Sequence, residues 1–203
     1  MLIGLVILGK KCKMKISTKQ LKQIIKEELN LVMETTGMPE LDNLLEEDDA
    51  ESLIQGLELA DVLGIFIDYQ SLLANKSRQT LKAIVRSPSG SQMPELLHHI
   101  AKVATDYVTL VRIARNPAAL PKTLEMLGSL IGINESNIVA HVAKNPSTPM
   151  DILNKLSKHK SWFVRAGIAG RDDVPEDIIK ELLGDRVPIV RRYAQETLNR
   201  KEI

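Results

Sequence analysis

The sequence, 203 residues long, predicts an all-α protein whose C-terminal part is an array of short helical repeats. Segments of similar sequence recur every 25 to 29 residues, which is typical of repeat architectures. Proline residues separate these segments and favour breaks between short helices. Aromatic residues make up only 3% of the chain, so aliphatic side chains must fill the core, as they do well between packed helices.

The chain begins with an apolar and basic tail, residues 1–16. Its first eight residues are apolar and are too few to span a bilayer. The lysines of the tail follow this apolar stretch, whereas a secretory signal carries its positive charge before it. We therefore expect no membrane span, and Met14 is an alternative start to Met1.

An amphipathic helix is predicted over residues 17–37. Ser17 and Gln20 fit a capping box, and apolar residues then recur at helical spacing. The lysines in the first half oppose the helix dipole. We expect this helix to need a partner surface, which is the rest of the chain, another chain or a membrane surface.

Charge is divided unequally along a chain whose net charge is only +1. Seven lysines and no acid lie between Lys10 and Lys26, and eleven acids and no Lys or Arg lie between Glu34 and Asp68. Residues 38–50 are acidic and turn-rich, which indicates a linker with about one helical turn. The more apolar residues 51–80 are predicted to form a helical cap on the repeats.

The repeat array is predicted over residues 81–203. Its best copies are residues 111–117, 140–146 and 166–172, and a weaker copy begins near Ile84. Each copy lies at the end of a short predicted helix. A further proline follows within a few residues, and a Leu-rich or Ile-rich helix is predicted after that proline. No such unit buries its apolar face alone, so we expect about four units and a terminal helix to stack on one another.

The pattern Val-Arg-x-x-x-Ala-x-Asn-Pro-x-x-Pro-x-x-x-Leu-x-x-Leu resembles the leucine-rich repeat variant family over about residues 81–198. The resemblance implies a right-handed α-solenoid of alternating α- and 3₁₀-helices. Two departures keep a general HEAT-like or armadillo-like array as an alternative: these repeats are longer than the family's unit, and Arg171-Asp172 replaces Asn-Pro. The cysteine-rich iron–sulfur segment of one branch of the family has no counterpart.

Residues 14–29 resemble a lead-in segment found on marine phage proteins of unrelated content. This second resemblance implies a phage origin and says nothing about activity.

The sequence offers no set of residues suited to catalysis. No carboxylate or cysteine follows His98 or His99 by three or four residues to complete a metal site, and Lys102 is found there instead. Cys12 lies in the basic tail without a partner base, and one cysteine excludes an internal disulfide. We predict a protein that is not an enzyme and has no catalytic, cofactor-binding or metal-binding residues. A reducing compartment fits the single cysteine, and a phage protein would act in the host cytoplasm or the virion.

A basic ridge on the C-terminal repeats is the predicted partner-binding surface. Its candidate residues are Lys155, Lys158, Lys160, Trp162, Arg165, Arg191 and Arg192. Arg165 and Arg191 are 26 residues apart and should lie side by side in stacked repeats. In the alternative interpretation, the arginines support the fold by bonding to carbonyls or to acids such as Asp185.

These observations predict a non-catalytic scaffold that mediates protein–protein interaction, with a phage accessory or structural role. The bound segment would be acidic, and the chain's own residues 34–68 are one candidate. Nucleic-acid binding through the basic ridge is the alternative function. An enzyme on a HEAT-like scaffold, for instance a DNA-repair activity, is disfavoured because aromatic and acidic residues are not grouped in one repeat.

Overall fold

A computed structural model describes residues 39–130 and 135–201, and these residues are helical without any strand. The all-α prediction is confirmed for these residues. The tail of residues 1–16 and the predicted amphipathic helix of residues 17–37 lie outside them. The helices are α1 (Pro39–Glu46), α2 (Ala50–Leu63), α3 (Tyr69–Ala74), α4 (Arg78–Arg86), the 3₁₀-helix η1 (Gly90–Gln92), α5 (Pro94–Val103), α6 (Tyr107–Arg115), α7 (Pro121–Gly128), α8 (Glu135–Lys144), α9 (Met150–Leu156), α10 (Trp162–Ala169), α11 (Glu176–Leu183) and α12 (Pro188–Lys201).

The helices from α2 onwards belong to one compact unit that begins at Leu44. Helices α2, α4, α6, α8, α10 and α12 contact one another in series, and we call them the first-helix layer. Helices α3, α5, α7 and α9 contact one another in a second series. A continuous core of buried aliphatic residues from Leu53 to Leu198 lies within this unit.

The second element of each predicted unit is an α-helix, namely α5, α7, α9 and α11. In the described residues the single 3₁₀-helix is η1, so the alternation of α- and 3₁₀-helices that the first resemblance implied is not observed. Proline acts as expected, because Pro94 and Pro121 begin α5 and α7, and Pro149 and Pro175 directly precede α9 and α11.

The acidic segment predicted as a linker contains α1, which has eight residues. Lys76 binds the C-terminal end of this helix. The Lys76 ammonium donates hydrogen bonds to the carbonyls of Leu45, Glu46 and Glu47 at 2.7, 2.8 and 2.7 Å. Asp48 then accepts from the backbone N–H of Ser77 at 2.8 Å, which ties the segment to the start of α4.

Close packing in the first-helix layer depends on small residues between α8 and α10. Ala140, Ala143 and Gly167 are buried there. A Cβ atom added at Gly167 would lie 3.3 Å from the Cβ of Ala143 and 3.4 Å from the carbonyl oxygen of Ala140. The helix backbones therefore approach more closely than larger side chains would allow.

A ladder of side-chain-to-carbonyl hydrogen bonds joins successive repeats. The Asn145 amide donates to the carbonyls of Ala114 and Asn116, each at 2.8 Å, and its oxygen accepts from the N–H of Ser147. One repeat later, the Arg171 guanidinium donates to the carbonyls of Ala143 and Asn145.

The last step of this ladder uses a hydroxyl group. The Thr197 hydroxyl donates to the carbonyl of Ala169 at 2.7 Å. Thr197 follows Arg171 by 26 residues, and Arg171 follows Asn145 by 26. Three different side chains in successive repeats therefore bind the carbonyl of the aligned alanine in the repeat before.

We predict that Asn145→Ala lowers the free energy of unfolding by about 2–3 kcal/mol. The change removes two donated bonds and leaves carbonyls buried beside Asn145 without that donor, and a buried unsatisfied group costs about 1–3 kcal/mol. Urea unfolding followed by circular dichroism measures the change. The control is Asn154→Ala, because Asn154 is exposed on α9 and its loss should change stability by less than about 0.5 kcal/mol. Equal stability of the two variants would contradict a stabilising ladder.

Candidate partner-binding surface

Arg165 of the predicted ridge is buried, with its side chain only 8% exposed. Its guanidinium forms a two-point ion pair with the Asp185 carboxylate, in which Nη2 lies 2.9 Å from Oδ1. Nη1 donates to the carbonyls of His159 and Lys160 at 2.7 and 3.1 Å. This arginine therefore holds together the loop before α10 and the loop between α11 and α12. It is not part of the accessible surface.

Arg191 lies next to this ion pair. Its Nη1 donates to the Asp185 carbonyl at 2.7 Å, and this carbonyl is six residues before Arg191, just as His159 is six residues before Arg165. Asp185 thus accepts hydrogen bonds from both arginines. Its carboxylate accepts from Arg165, and its backbone carbonyl accepts from Arg191. The Arg165 guanidinium holds the pKa of the Asp185 carboxyl below its usual range through these hydrogen bonds.

The other ridge residues are exposed, and several lie beside acids. Lys158 lies 3.8 Å from Glu181, and the Arg192 Nε atom lies 3.5 Å from Glu196. Lys155 and Lys160 are also exposed. The Trp162 side chain is 46% exposed and meets the Phe163 ring edge to face. Neighbouring carboxylates thus reduce the positive potential of this ridge.

We predict that Arg165→Met lowers the free energy of unfolding by roughly 3–5 kcal/mol, because it leaves the buried Asp185 carboxylate without its partner. Arg191→Met is the matched control. Arg191 is exposed and donates one hydrogen bond to Asp185, so its loss should cost less than about 1 kcal/mol. Urea unfolding compares the two. A small effect of Arg165→Met would mean that the buried pair contributes little to the fold.

A groove of about 600 Å³ lies along α6 and has an apolar floor with a cationic rim. Tyr107, Val108 and Val111 supply the apolar part, and the first two side chains are each 45% exposed. Arg112 and Arg115 supply the charge. The remaining lining residues are Val85, Ser91, Gln92, Asn116 and Pro117, so the lining contains no acid. We call this the α6 groove.

Three cations occupy the same position of successive first helices. Arg86, Arg115 and Lys144 directly precede Ser87-Pro88, Asn116-Pro117 and Asn145-Pro146, at intervals of 29 residues. All three are exposed, and we call them the cation row. The row ends at α10, where Gly170 precedes Arg171.

The cation row connects the α6 groove to α8 and α10. A second cavity of about 390 Å³ is lined by Arg115, His141, Lys144, Asn145 and Pro146, so Arg115 belongs to both. The Lys144 ammonium then lies 5.0 Å from the centre of the Phe163 ring, within the range of a cation–π contact.

The pKa of the His141 imidazole depends on the charge of this surface. Burial lowers its pKa below the usual value, and the neighbouring Arg115 and Lys144 lower the pKa further. Protonating His141 is therefore less favourable in the folded chain than in the unfolded chain. Its contribution to stability is present above a pH of about 6.5 and is lost as the pH falls through the lowered folded pKa.

We predict that Arg115→Met raises the pKa of His141, because it removes one of the two cations beside the imidazole. Histidine titration followed by NMR measures this pKa in the folded chain. His159 is the internal control, since burial, Lys160 and Arg165 lower its pKa and Arg115 does not. An unchanged His141 pKa in the variant would contradict the electrostatic coupling across this surface.

The adjacent His98 and His99 point to different neighbours, as their positions on one helix predict. His98 shares a 2.8 Å hydrogen bond with the Thr123 hydroxyl of α7, and the His99 ring stacks on Tyr69 of α3. Burial lowers the pKa of both imidazoles. In the part of the chain that the structure describes, no group of three His, Cys, Asp or Glu residues is arranged to hold a metal ion.

Comparison with family models, curated proteins and solved structures finds no match to this chain. Among residues 39–130 and 135–201, no helix is long and apolar enough to cross a membrane. The cation row is not among the predicted partner-binding residues, although a cation precedes the Ser-Pro or Asn-Pro pair in three successive copies of the repeat.

Proposed function

We propose that this chain is a non-catalytic helical-repeat scaffold that binds another protein segment through the α6 groove and the cation row. The observation that carries this proposal is a lining in which exposed apolar side chains and arginines occur together without an acid. We further propose that the repeats form a right-handed α-solenoid, which would set the cations at regular intervals along one face.

The chemistry of the groove selects an acidic segment with an apolar or aromatic side chain. Arginine binds carboxylates through two parallel hydrogen bonds, and Arg112 and Arg115 lie one helical turn apart on α6. Tyr107 and Val108 offer an apolar contact that the bound side chain would cover. Tyrosine and arginine are enriched among the residues that dominate binding energy at protein interfaces.

Nucleic-acid binding through the basic ridge is less well supported by the side-chain contacts. Arg165 is buried, and Lys158 and Arg192 lie beside carboxylates that would repel phosphate groups. Trp162 is exposed and available for stacking, and Lys155 and Lys160 are exposed as well. We therefore treat this function as an outcome of the test.

The resemblance of residues 14–29 to phage lead-in segments supports a phage-encoded accessory or structural role. On that proposal the chain acts in the host cytoplasm or in the virion. A scaffold of this kind needs no cofactor.

We predict that peptides selected from a random library of about twelve residues on the immobilised full chain are rich in Asp and Glu and carry an apolar residue. Arg112→Glu with Arg115→Glu should weaken their binding at least about tenfold, because rim attraction becomes repulsion. Lys158→Glu with Lys160→Glu makes the same charge change outside the groove and should leave affinity nearly unchanged. Fluorescence anisotropy of the labelled peptides measures both.

Two results would overturn the proposed function. The first is a selection without enrichment, or with enrichment that the groove variant retains. The second is tight binding of a labelled single-stranded oligonucleotide of about twenty nucleotides, with a steep salt dependence that the Lys158 and Lys160 variant removes. That second result would assign the ridge to nucleic acid.

A further inference from the structure

A second exposed surface lies at the C-terminal end of α2 and in the residues directly after it, and its charge is opposite to that of the α6 groove. Val62 and Phe66 are 82% and 71% exposed, and Leu63 between them is 42% exposed. Glu58 and Asp61 are exposed on the same last turns of α2. We call Glu58, Asp61, Val62 and Phe66 the α2 surface.

The local backbone holds this surface in place. Helix α2 ends at Gly64, whose φ of 69° is readily adopted by glycine. The N–H of Gly64 donates to Asp61, and the N–H of Ile65 donates to Ala60 at 2.8 Å. These two hydrogen bonds hold the backbone at the end of α2, where Val62 is exposed, and Phe66 follows two residues after Gly64.

The two surfaces complement each other in charge and in apolar character. No Lys or Arg occurs between Glu34 and Asp68, and no acid lines the α6 groove. Phe66 and Val62 provide the apolar side chains that Tyr107 and Val108 would cover. Glu58 and Asp61 provide carboxylates for the two arginines of the rim.

One copy of the chain does not bring these surfaces together. Helix α2 contacts α4, and α4 contacts α6, so α4 separates the two surfaces within the first-helix layer. Packed helices lie about 8–10 Å apart. Two surfaces fixed on helices two positions apart in one layer do not meet, and the matching partner is a second copy.

We propose that this chain self-associates by placing the α2 surface of one copy in the α6 groove of another. The inference rests on the proposed function, because it uses the same groove and names its occupant. In a two-fold symmetric pair each copy supplies both surfaces, so the contact is made twice and the dimer is closed. Opposite charges steer the copies together, and contact between Phe66 and the groove floor removes apolar area from water.

Sedimentation velocity of the full chain over about two decades of concentration tests this proposal. We expect a reversible dimer that weakens between about 0.1 M and 1 M salt, since the Debye length falls from about 10 Å to about 3 Å. Arg112→Glu with Arg115→Glu, and separately Glu58→Lys with Asp61→Lys, should each raise the dimer dissociation constant at least about tenfold.

Mixing these two variants is the decisive measurement. Each variant alone juxtaposes like charges, whereas the mixture pairs an acidic groove with a basic α2 surface and a basic groove with an acidic one. The mixture should recover the dimer. Lys158→Glu with Lys160→Glu is the matched control and should dimerise as the unmodified chain does. Phe66→Ser should weaken the dimer at both salt concentrations, because it acts on the apolar contact.

A chain that stays monomeric over the whole concentration range would overturn self-association, as would a dimer that both charge variants retain or a mixture that stays monomeric. An open series of larger species that grows with concentration would overturn the closed dimer. None of these results affects the peptide selection, which tests the groove itself. Enriched acidic peptides together with a monomeric chain would leave the proposed function in place with a different partner.

Discussion

The carbonyl at the end of each first helix must find a hydrogen-bond donor, and this requirement governs the arrangement of the repeats. Helix C-termini leave carbonyls without an intrahelical partner. Some of these carbonyls are buried against the helices that follow them in the chain. Asn145 and Arg171 donate to the carbonyls of Ala114 and Ala143. The donor belongs to the following repeat, so the bond satisfies the helix end and fixes the register between units.

The same requirement accepts different side chains, which explains why the repeats look irregular in sequence. Asn145 uses one amide group, and Thr197 uses a hydroxyl. Arg171 adds a positive charge to a buried position, and the Asp173 carboxylate, 2.8 Å from its Nε atom, compensates that charge. The replacement of Asn-Pro by Arg171-Asp172 is therefore a change of donor within an unchanged arrangement.

The helix bounds could be predicted from the sequence because their causes are local. The candidate site could not, because its residues come together only in the folded chain. Prolines such as Pro121 and periodic leucines indicate helix bounds because they act within one turn. The ion pair of Arg165 with Asp185 was an open alternative, and only its burial decides for support of the fold. The α6 groove joins Val85 to Arg112 across two helices, and no spacing rule in the sequence expresses that proximity.

The ladder also determines which positions are free to carry binding chemistry. Asn145 donates to the preceding repeat, whereas Lys144, the last residue of α8, is exposed. A cation there interacts favourably with the C-terminal end of its own helix dipole, so a positive side chain is compatible with stability. Gly170, at the corresponding position of α10, shows that the fold does not require a cation. The charge of this face can therefore change while the ladder behind it stays fixed, as the proposed scaffold function would require.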